Sequence, residues 1–386
     1  MNPFLLLLLS ILVTAGAIYV RQILLFAKGL SNLRRGTNVS LYTATILVAA
    51  RNEEAHIERC LTALVDQDYP KEKYRIIVID DHSTDRTAEI AKSFTNKYPH
   101  ILLLTVRDSP KGISPKINAL NLGVSNSSSE LIFTTDADCT VGSRWLSFMV
   151  KHFEPNVGAV SGVTLYSDEG QTRSFLNGFQ HLDFFSQTAC GAGAIGLGSV
   201  NNCNGSNMGF RRSAFDAVGG YAAIAHVNSG SDSLLAQRIA ATTDWVMQFA
   251  FEPETHVTTM PLPSWGNVFQ QRMRWAGQTP NYRASTLAFL IASFLFYVSI
   301  LLLAILSCSS LTALAALLPA FALKMAVDYN IILKFRRLTE IRERLSYFFL
   351  SELAHIPVIL SAVVGTFLGS FEWKGRHMQR EISQQA

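Results

Sequence analysis

Four long apolar stretches constrain the architecture of this chain more than any other feature. The first, Pro3 to Ala27, holds one charged residue, Arg21, and as a helix it would be about 37 Å long, enough to cross a bilayer. Three more follow residue 284, namely Ser285 to Ser307, Leu311 to Ile332 and Leu345 to Phe371. Since 49% of the 386 residues are hydrophobic and only 16% are charged, the sequence predicts a multi-pass membrane protein.

Basic residues beside these stretches predict their orientation. Pro3 to Ala27 has no basic segment before it and is followed by Lys28, Arg34 and Arg35, so we expect a retained anchor and not a cleaved signal peptide. The loop from Lys334 to Arg344 carries five Lys/Arg. By the positive-inside rule, this loop and the long segment after the anchor are both predicted to be cytoplasmic.

The last apolar stretch leaves two possibilities open. Glu352, His355 and Pro357 interrupt it, which is typical of a re-entrant or interfacial helix. If the stretch instead spans the membrane, Lys374, Arg376 and Arg380 would lie outside, against the positive-inside rule.

The net charge indicates which molecules the protein contacts, and the cysteines indicate its redox compartment. Much of the net charge of +4 lies beside the apolar stretches, which predicts contact with membrane lipids and no binding of nucleic acid. The five cysteines show no paired spacing, so we expect free thiols in a reducing compartment and no metal cluster.

Between the anchor and the later stretches, strand and helix patterns alternate. The predicted strands are Thr45 to Ala50, Arg75 to Asp80, Ile101 to Val106 and the apolar part of Leu131 to Thr140; the predicted helices begin near Asn52, Arg86 and Lys116. We expect Asn52 to be the N-cap of the first helix. This alternation predicts an α/β fold with a mostly parallel sheet.

Polar residues follow three of these strands and are expected at one edge of the sheet, where open α/β sheets bind ligands. Asp136 and Asp138 suit Mg²⁺ or Mn²⁺ shared with a diphosphate, although a polar turn is the alternative. The pair Asp80 and Asp81 could cap the following helix, or one of the two carboxylates could accept hydrogen bonds from a base or a ribose. Lys116, at a helix start, could reach phosphate or remain a solvated lysine.

Five segments together resemble a known family. They are Val48 to Glu53, Val78 to Asp85, Asp136 to Asp138, Gly205 to Arg212 and Gln271 to Trp275. Occurring in this order, they resemble a family 2 glycosyltransferase of the GT-A fold, in the membrane-embedded branch of cellulose, chitin and poly-N-acetylglucosamine synthases and ceramide glucosyltransferases. The resemblance covers roughly residues 44 to 280 and the flanking apolar stretches.

The resemblance implies roles for the residues around a nucleotide-sugar donor. Asp81 would contact the base, with Ala49 and Arg51 in the same pocket, and Asp138 would be the main metal ligand beside Asp136. The complete predicted donor set is Ala49, Arg51, Glu53, Asp81, Lys116 and Asp136.

The resemblance also implies the catalytic and acceptor residues. Arg274 would neutralise the leaving diphosphate, Trp275 would stack on the acceptor, and Gln271 belongs to the same motif. The alternative for this segment is an amphipathic helix at the membrane surface, and the two are compatible. Asp232 would be the general base, although Ser231 replaces the acid that precedes it in the family, and a helix N-cap is the alternative.

The predicted domains are an anchor (1–30), a catalytic domain (42–260), an interfacial segment (261–284), a transmembrane region (285–371) and a tail (372–386). Within the catalytic domain, the glycine-rich stretch Phe175 to Gly198 is expected to be a core helix or a wall of the acceptor site.

Together with the apolar stretches, the resemblance implies a membrane-bound inverting glycosyltransferase that moves a sugar, expected to be UDP-linked, to a hydroxyl of a lipid-soluble acceptor on the cytoplasmic face. One alternative is a processive polysaccharide synthase with a glycan acceptor. The other is a non-catalytic membrane subunit that binds nucleotide-sugars.

Overall fold

The computed structural model describes residues 3–108, 110–170, 173–225, 227, 230–277, 282–342, 345–368, 371–373 and 376–378. Its helices are α1 (Pro3–Gly29), α2 (Ile57–Val65), α3 (Thr87–Lys97), α4 (Pro115–Ser125), α5 (Trp145–Lys151), α6 (Phe175–Gly196), α7 (Arg212–Ala217), α8 (Ser231–Thr242), α9 (Trp265–Ala276), α10 (Ala284–Leu306), α11 (Leu311–Thr339) and α12 (Phe348–Leu368). Its strands are β1 (Ala44–Ala50), β2 (Tyr74–Asp80), β3 (Ile101–Thr105), β4 (Leu131–Asp136), β5 (Thr140–Val141), β6 (Val157–Gly162), β7 (Thr164–Tyr166), β8 (Met208–Arg211), β9 (Val246–Ala250), β10 (Val257–Thr259), β11 (Phe371–Trp373) and β12 (Arg376–Met378). Arg344 and most of the predicted tail (372–386), including Lys374, lie outside the described residues.

A seven-stranded sheet forms the centre of the soluble part, with strand order β3-β2-β1-β4-β8-β6-β9. Strands β1 to β4 are parallel, and β8 is antiparallel to both of its neighbours. Almost every residue of β1, β2 and β4 is buried, because helices cover both faces of a parallel sheet. The predicted α/β class is confirmed.

The register of the central strands places three loops at one edge. Ala49 pairs with Asp136 across β1 and β4, and Ala50 pairs with Asp80 across β1 and β2. The chain therefore leaves all three strands at the same level, so that the polar residues after each strand meet there.

The start of α2 corrects one prediction. The helix begins at Ile57, and His56, not Asn52, occupies its N-cap position. Asn52 instead adopts a left-handed conformation (φ 51°), and its Oδ1 accepts a hydrogen bond of 2.9 Å from the Thr84 backbone N–H. Asparagine tolerates this conformation because its short polar side chain bonds locally. Asn52 thus joins the loop after β1 to the loop after β2.

Four described helices are long and apolar enough to cross a membrane: α1 with its continuation to Asn32, α10, α11 and α12 up to Thr366. The predicted stretch Leu311 to Ile332 is longer in the structure, because α11 continues to Thr339. The first part of the predicted basic loop is therefore helical. Arg336 and Arg337 lie in its last turn, where positive charge favours the helix dipole.

Glycines of α6 allow two helices to approach closely. A Cβ on Gly193 or Gly196 would collide with the backbone of α1 at Phe26 or Gly29, so these positions accept no larger side chain without movement. Close packing of helices therefore explains this part of the glycine-rich segment, as the core-helix alternative predicts.

Both ends of α12 contact the soluble part of the chain. Tyr347, just before the helix, lies against Gly178 and Phe175 of α6. Near the other end, the Thr366 hydroxyl donates to the Met273 carbonyl of α9 at 3.3 Å. Helix α12 therefore runs along α6 and α9 instead of leading away from them.

Candidate active site

One large cavity extends from the strand-end loops to the apolar helices, with a volume of about 1240 Å³. Ordinary small-molecule pockets have volumes of about 300–1,000 Å³, so this cavity has room for more than one small ligand. Ala49, Arg51 and Asp81 line one end, while Phe289 of α10 and Ile359 of α12 line the other. We call these ends the donor half and the membrane half.

The donor half is built from the loops after β1 and β2. The Arg51 guanidinium donates to the carbonyls of Asp81 and His82, at 2.8 Å and 3.1 Å, and so fixes the second loop. The Asp80 carboxylate accepts from the Ser83 N–H at 3.3 Å, whereas Asp81 lines the cavity with its carboxylate 3.0 Å from the His82 imidazole. One carboxylate of the pair therefore serves the loop, and the other faces the cavity.

Glu53 is the one predicted donor residue that does not line the cavity. Its side chain is buried and does not belong to the cavity lining. Its backbone N–H donates to the Thr87 hydroxyl at 2.7 Å, a contact that again ties the first loop to the start of α3. Through this contact, the backbone of Glu53 helps to hold the loops that form the donor half.

A carboxylate cluster lies where β4 ends. Ligand atoms of Asp136, Asp138 and Cys139 all lie within 4.8 Å of one another. The two carboxylates fit a divalent ion such as Mg²⁺ or Mn²⁺, which prefers oxygen ligands and leaves other positions to phosphate and water. The thiol does not fit such an ion, because burial and the neighbouring carboxylates raise the pKa of Cys139 and keep it protonated.

Lys116 pairs with the first of these carboxylates. It lies in the first turn of α4, and its Nζ donates to Asp136 Oδ1 at 2.8 Å. Burial alone would lower the pKa of Lys116, but Asp136 and Asp232 together raise it above its usual value. Lys116 is half-buried and ion-paired, so a firmly protonated amine lies beside the carboxylates.

Asp232 lies in the first turn of α8 and does not cap it. The N-cap position belongs to Gly230, which has a left-handed φ of 72°. A Cβ on Gly205 would lie 2.8 Å from the Asp232 carboxyl carbon, so the carboxylate rests directly on the glycine backbone. The N-cap alternative is wrong, and Asp232 lines the cavity instead.

Arg274 approaches the same space from α9. Burial lowers its pKa, while Asp136 and Asp232 act in the opposite direction. A guanidinium remains protonated in proteins. Two cations, Lys116 and Arg274, therefore interact electrostatically with the same two carboxylates of the cavity, Asp136 and Asp232.

Gln271 and Trp275 are held by Arg272, a residue of the same segment to which the sequence assigned no role. Arg272 donates to Asp183 of α6 through Nε at 2.8 Å and through Nη2, and its Nη1 donates to the side-chain Oε1 of Gln271. The guanidinium carbon lies 4.3 Å from the centre of the Trp275 ring. Trp275 also stacks on Phe184, with ring centroids 6.0 Å apart. The motif is thus both part of the cavity wall and anchored to α6.

Asp183 could have been noticed, since it is an isolated carboxylate in the apolar segment Phe175–Gly196. Although burial raises the pKa of Asp183, the Arg272 guanidinium and the His355 imidazole hold it well below its usual range. Asp183 is therefore an ionised anchor for Arg272.

A family model described as glycosyl transferase family 21 matches residues 12–385. The chain belongs to this family. The predicted glycosyltransferase resemblance is confirmed.

Among its relatives, the beta-monoglucosyldiacylglycerol synthase of Nostoc sp. is 31% identical over 61% of this chain and 49% of that protein. The poly-beta-1,6-N-acetyl-D-glucosamine synthase of Staphylococcus epidermidis is 27% identical over 60% of this chain and 53% of that protein. The chain therefore spans about half the length of these relatives.

A solved structure shows the same fold. It is that of the mannosyltransferase PcManGT from Pyrobaculum calidifontis in complex with GDP-Man and Mn²⁺, with a TM-score of 0.64 and 21% identity over 93% of this chain and 99% of that one. The predicted GT-A architecture with apolar helices is confirmed.

Proposed function

We propose that this protein transfers a sugar from a nucleoside-diphosphate donor, UDP-linked, to a hydroxyl of a lipid acceptor with inversion. The observation that carries the proposal is the single cavity that joins Asp81 and Asp136 to the apolar side chains of α10 and α12. A lipid can enter such a cavity from the bilayer while a charged nucleotide enters from water. The Nostoc relative, named for a glucosyldiacylglycerol product, supports a lipid acceptor.

In the proposed mechanism, Asp232 takes the proton of the acceptor hydroxyl as its oxygen attacks the anomeric carbon. The bond from that carbon to the diphosphate breaks on the opposite face, so the configuration inverts and the nucleoside diphosphate leaves. Arg274 and Lys116 offset the charge that develops on the leaving group.

The proposed metal ligands are Asp136 and Asp138. A bound Mg²⁺ or Mn²⁺ would neutralise charge on the diphosphate. Asp81 and Arg51 lie where the base would be held, and Trp275 lines the wall on which the acceptor would pack.

The test is transfer of labelled sugar in membranes that contain the full chain. UDP-glucose, UDP-N-acetylglucosamine and GDP-mannose are supplied in turn, and lipids are extracted and separated by thin-layer chromatography. A discrete glycolipid is the expected product. A polymer that stays in the aqueous phase would favour a polysaccharide synthase, as in the Staphylococcus relative. Donor binding without release of the nucleoside diphosphate would indicate a non-catalytic subunit.

We also propose that the cavity's donor half faces the cytoplasm and that α12 lies along the soluble part without crossing. This arrangement keeps the basic residues after α12 on the cytoplasmic side, in agreement with the positive-inside rule. Cys308, an exposed free thiol between α10 and α11, provides a natural probe of the outer side. An impermeant thiol reagent should label Cys308 in intact cells and should miss an introduced Arg337→Cys in a Cys308→Ser background. The reverse labelling would overturn the orientation.

A further inference from the structure

The loop after β2 holds a histidine in a left-handed backbone conformation. His82 has a φ of 59°, which is uncommon for a residue other than glycine. Among the described residues, Asn52 and Glu340 are the other non-glycine residues with a positive φ, and Asn52 lies in the neighbouring loop after β1. Glycine would adopt this conformation at the lowest cost. Larger residues that keep it cluster at active sites and ligand-binding loops.

The peptide groups on both sides of His82 are held by neighbouring side chains. The Arg51 guanidinium binds the carbonyl that precedes His82 and the carbonyl of His82 itself. The next N–H along the chain, that of Ser83, donates to the Asp80 carboxylate. Because these bonds hold the backbone, the Cα–Cβ bond of His82 has a fixed direction.

The imidazole contacts the carboxylate of the preceding residue. His82 Nδ1 lies 3.0 Å from Asp81 Oδ1. A carboxylate only accepts hydrogen bonds, so Nδ1 carries the proton in this contact and donates it. The Asp81 side chain is 7% exposed and the His82 side chain 41%, so the carboxylate is the buried member of the pair, and it lines the cavity. One of its two oxygens is therefore engaged before a nucleotide binds.

This contact limits what Asp81 can offer to a base. Uracil has one N–H on its pairing edge, between two carbonyls. Guanine has two donors side by side, a ring N–H and an exocyclic amino group, and a carboxylate binds such a pair through both of its oxygens. Asp81 cannot do this without losing its bond to His82. The pair formed by Asp81 and His82 thus fits a base with a single donor.

We propose that His82 is a positioning residue that makes the donor half selective for a uridine nucleotide over a guanosine nucleotide. Its imidazole occupies Asp81 Oδ1, orients the carboxylate and leaves guanine without its second acceptor. The inference rests on the proposed function, in which Asp81 holds the base, and it names the residue that makes the choice between bases.

The test is the affinity of the purified full-length protein in nanodiscs for UDP and for GDP, measured by titration calorimetry with Mn²⁺ present. The wild-type protein should bind UDP more tightly. His82→Gly permits the same backbone conformation and removes the imidazole. The ratio of the GDP to the UDP dissociation constant should then fall roughly three- to tenfold, the worth of one hydrogen bond. The melting temperature should stay the same or rise, because glycine relieves the strain.

Two further variants separate the hydrogen bond from the backbone. His82→Asn keeps a donor, since the asparagine Nδ2 occupies the same place in the side chain as the histidine Nδ1, and asparagine tolerates a left-handed φ. This variant should keep the wild-type ratio. Glu340→Gly makes the same kind of backbone change at the end of α11, where φ is 60°, and should also leave the ratio unchanged.

Three results would overturn the role of His82 and leave the proposed function standing. The first is an unchanged ratio in His82→Gly. The second is an equal loss of UDP and GDP affinity with a lower melting temperature, which would make the imidazole a support of the loop only. The third is a His82→Asn variant that behaves like His82→Gly. A wild-type protein that binds GDP as tightly as UDP, or binds neither, contradicts the uridine donor of the proposed function, and the role of His82 fails with it.

Discussion

The donor half and the membrane half of the cavity are assembled in different ways. In the donor half, polar residues follow β1, β2 and β4 in short contiguous loops, and the loops are tied together through backbone groups, as Arg51 does with two carbonyls. In the membrane half, polar residues come from four separate helices, α1, α10, α11 and α12. Tyr19 and Asp328, which bond directly, are 309 residues apart in the chain.

This difference has an energetic consequence. A strand-end carboxylate that faces water costs little, so it can be selected for chemistry alone. A buried charge between apolar helices must be paired, because an unpaired one is strongly destabilising. We therefore expect changes in the donor half to reduce the rate with little effect on stability, and changes in the membrane half to act on stability or on the lipid.

Removing the divalent metal is expected to have the largest effect. EDTA should abolish transfer and added Mg²⁺ or Mn²⁺ should restore it, because the proposed metal ligands are the two carboxylates at the end of β4. Asp138→Ala should be equally inactive with an unchanged melting temperature, measured in detergent. Full transfer in chelator, or an active Asp138→Ala, would remove the metal from the mechanism.

Next in size is the loss of the proposed base. Asp232→Asn should lower the maximal rate roughly 10²- to 10⁴-fold, because the amide cannot take the acceptor proton. Since Gly230 occupies the cap position, the substitution should leave folding and donor binding intact. Asp216→Asn, at an exposed position on α7, serves as the control. A near wild-type rate for Asp232→Asn would mean that another group is the base.

The same contrast explains what the sequence could predict. The strands β1, β2 and β4 follow from short apolar runs, and the polar residues after each run mark one edge of a parallel sheet. Asp81, Asp136 and Lys116 were therefore predictable as neighbours. The left-handed Asn52 was not, because the same residue type serves as an N-cap or as a loop bridge, and tertiary contacts decide between them.

The membrane half could not be assembled from the sequence. Glu352 and His355 were visible only as interruptions of an apolar stretch. Their partners depend on how α1, α10, α11 and α12 are rotated against one another, and apolar segments carry almost no signal for that rotation. The lone Asp183 in α6 had no predictable partner either, although its isolation among apolar residues was a signal.

Replacing Lys324, the buried cation of the membrane half, should lower the transfer rate less than the Asp138 and Asp232 variants do and should lower the melting temperature more. Lys324→Met leaves Asp328 and Glu352 without their ammonium, a loss of about 3–5 kcal/mol for a broken buried ion pair. The melting temperature should fall well below that of Lys92→Met, a surface control. Adding Asp328→Asn and Glu352→Gln should recover much of the loss. A stable Lys324→Met would show that this cluster is solvated like the donor half.

The smallest expected effect is at the junction of the two halves, and Arg272→Lys tests it. Lysine keeps the charge opposite Asp183 but cannot bond Asp183 twice, bond Gln271 and cover the Trp275 ring at the same time. We expect the free energy of unfolding to fall by at most about 3 kcal/mol, the upper end of the range for a hydrogen bond to a charged group.

The maximal rate of Arg272→Lys should fall as well, because Gln271 and Trp275 lose the group that orients them, while UDP affinity should be unchanged since Arg51 and Asp81 are untouched. Melting temperature, rate and UDP binding are measured beside Arg86→Lys, an exposed arginine paired with Glu54. A lower melting temperature at full rate would make Arg272 a structural residue only. Wild-type values in all three would mean that α9 needs no anchor on α6 and that the two halves act independently.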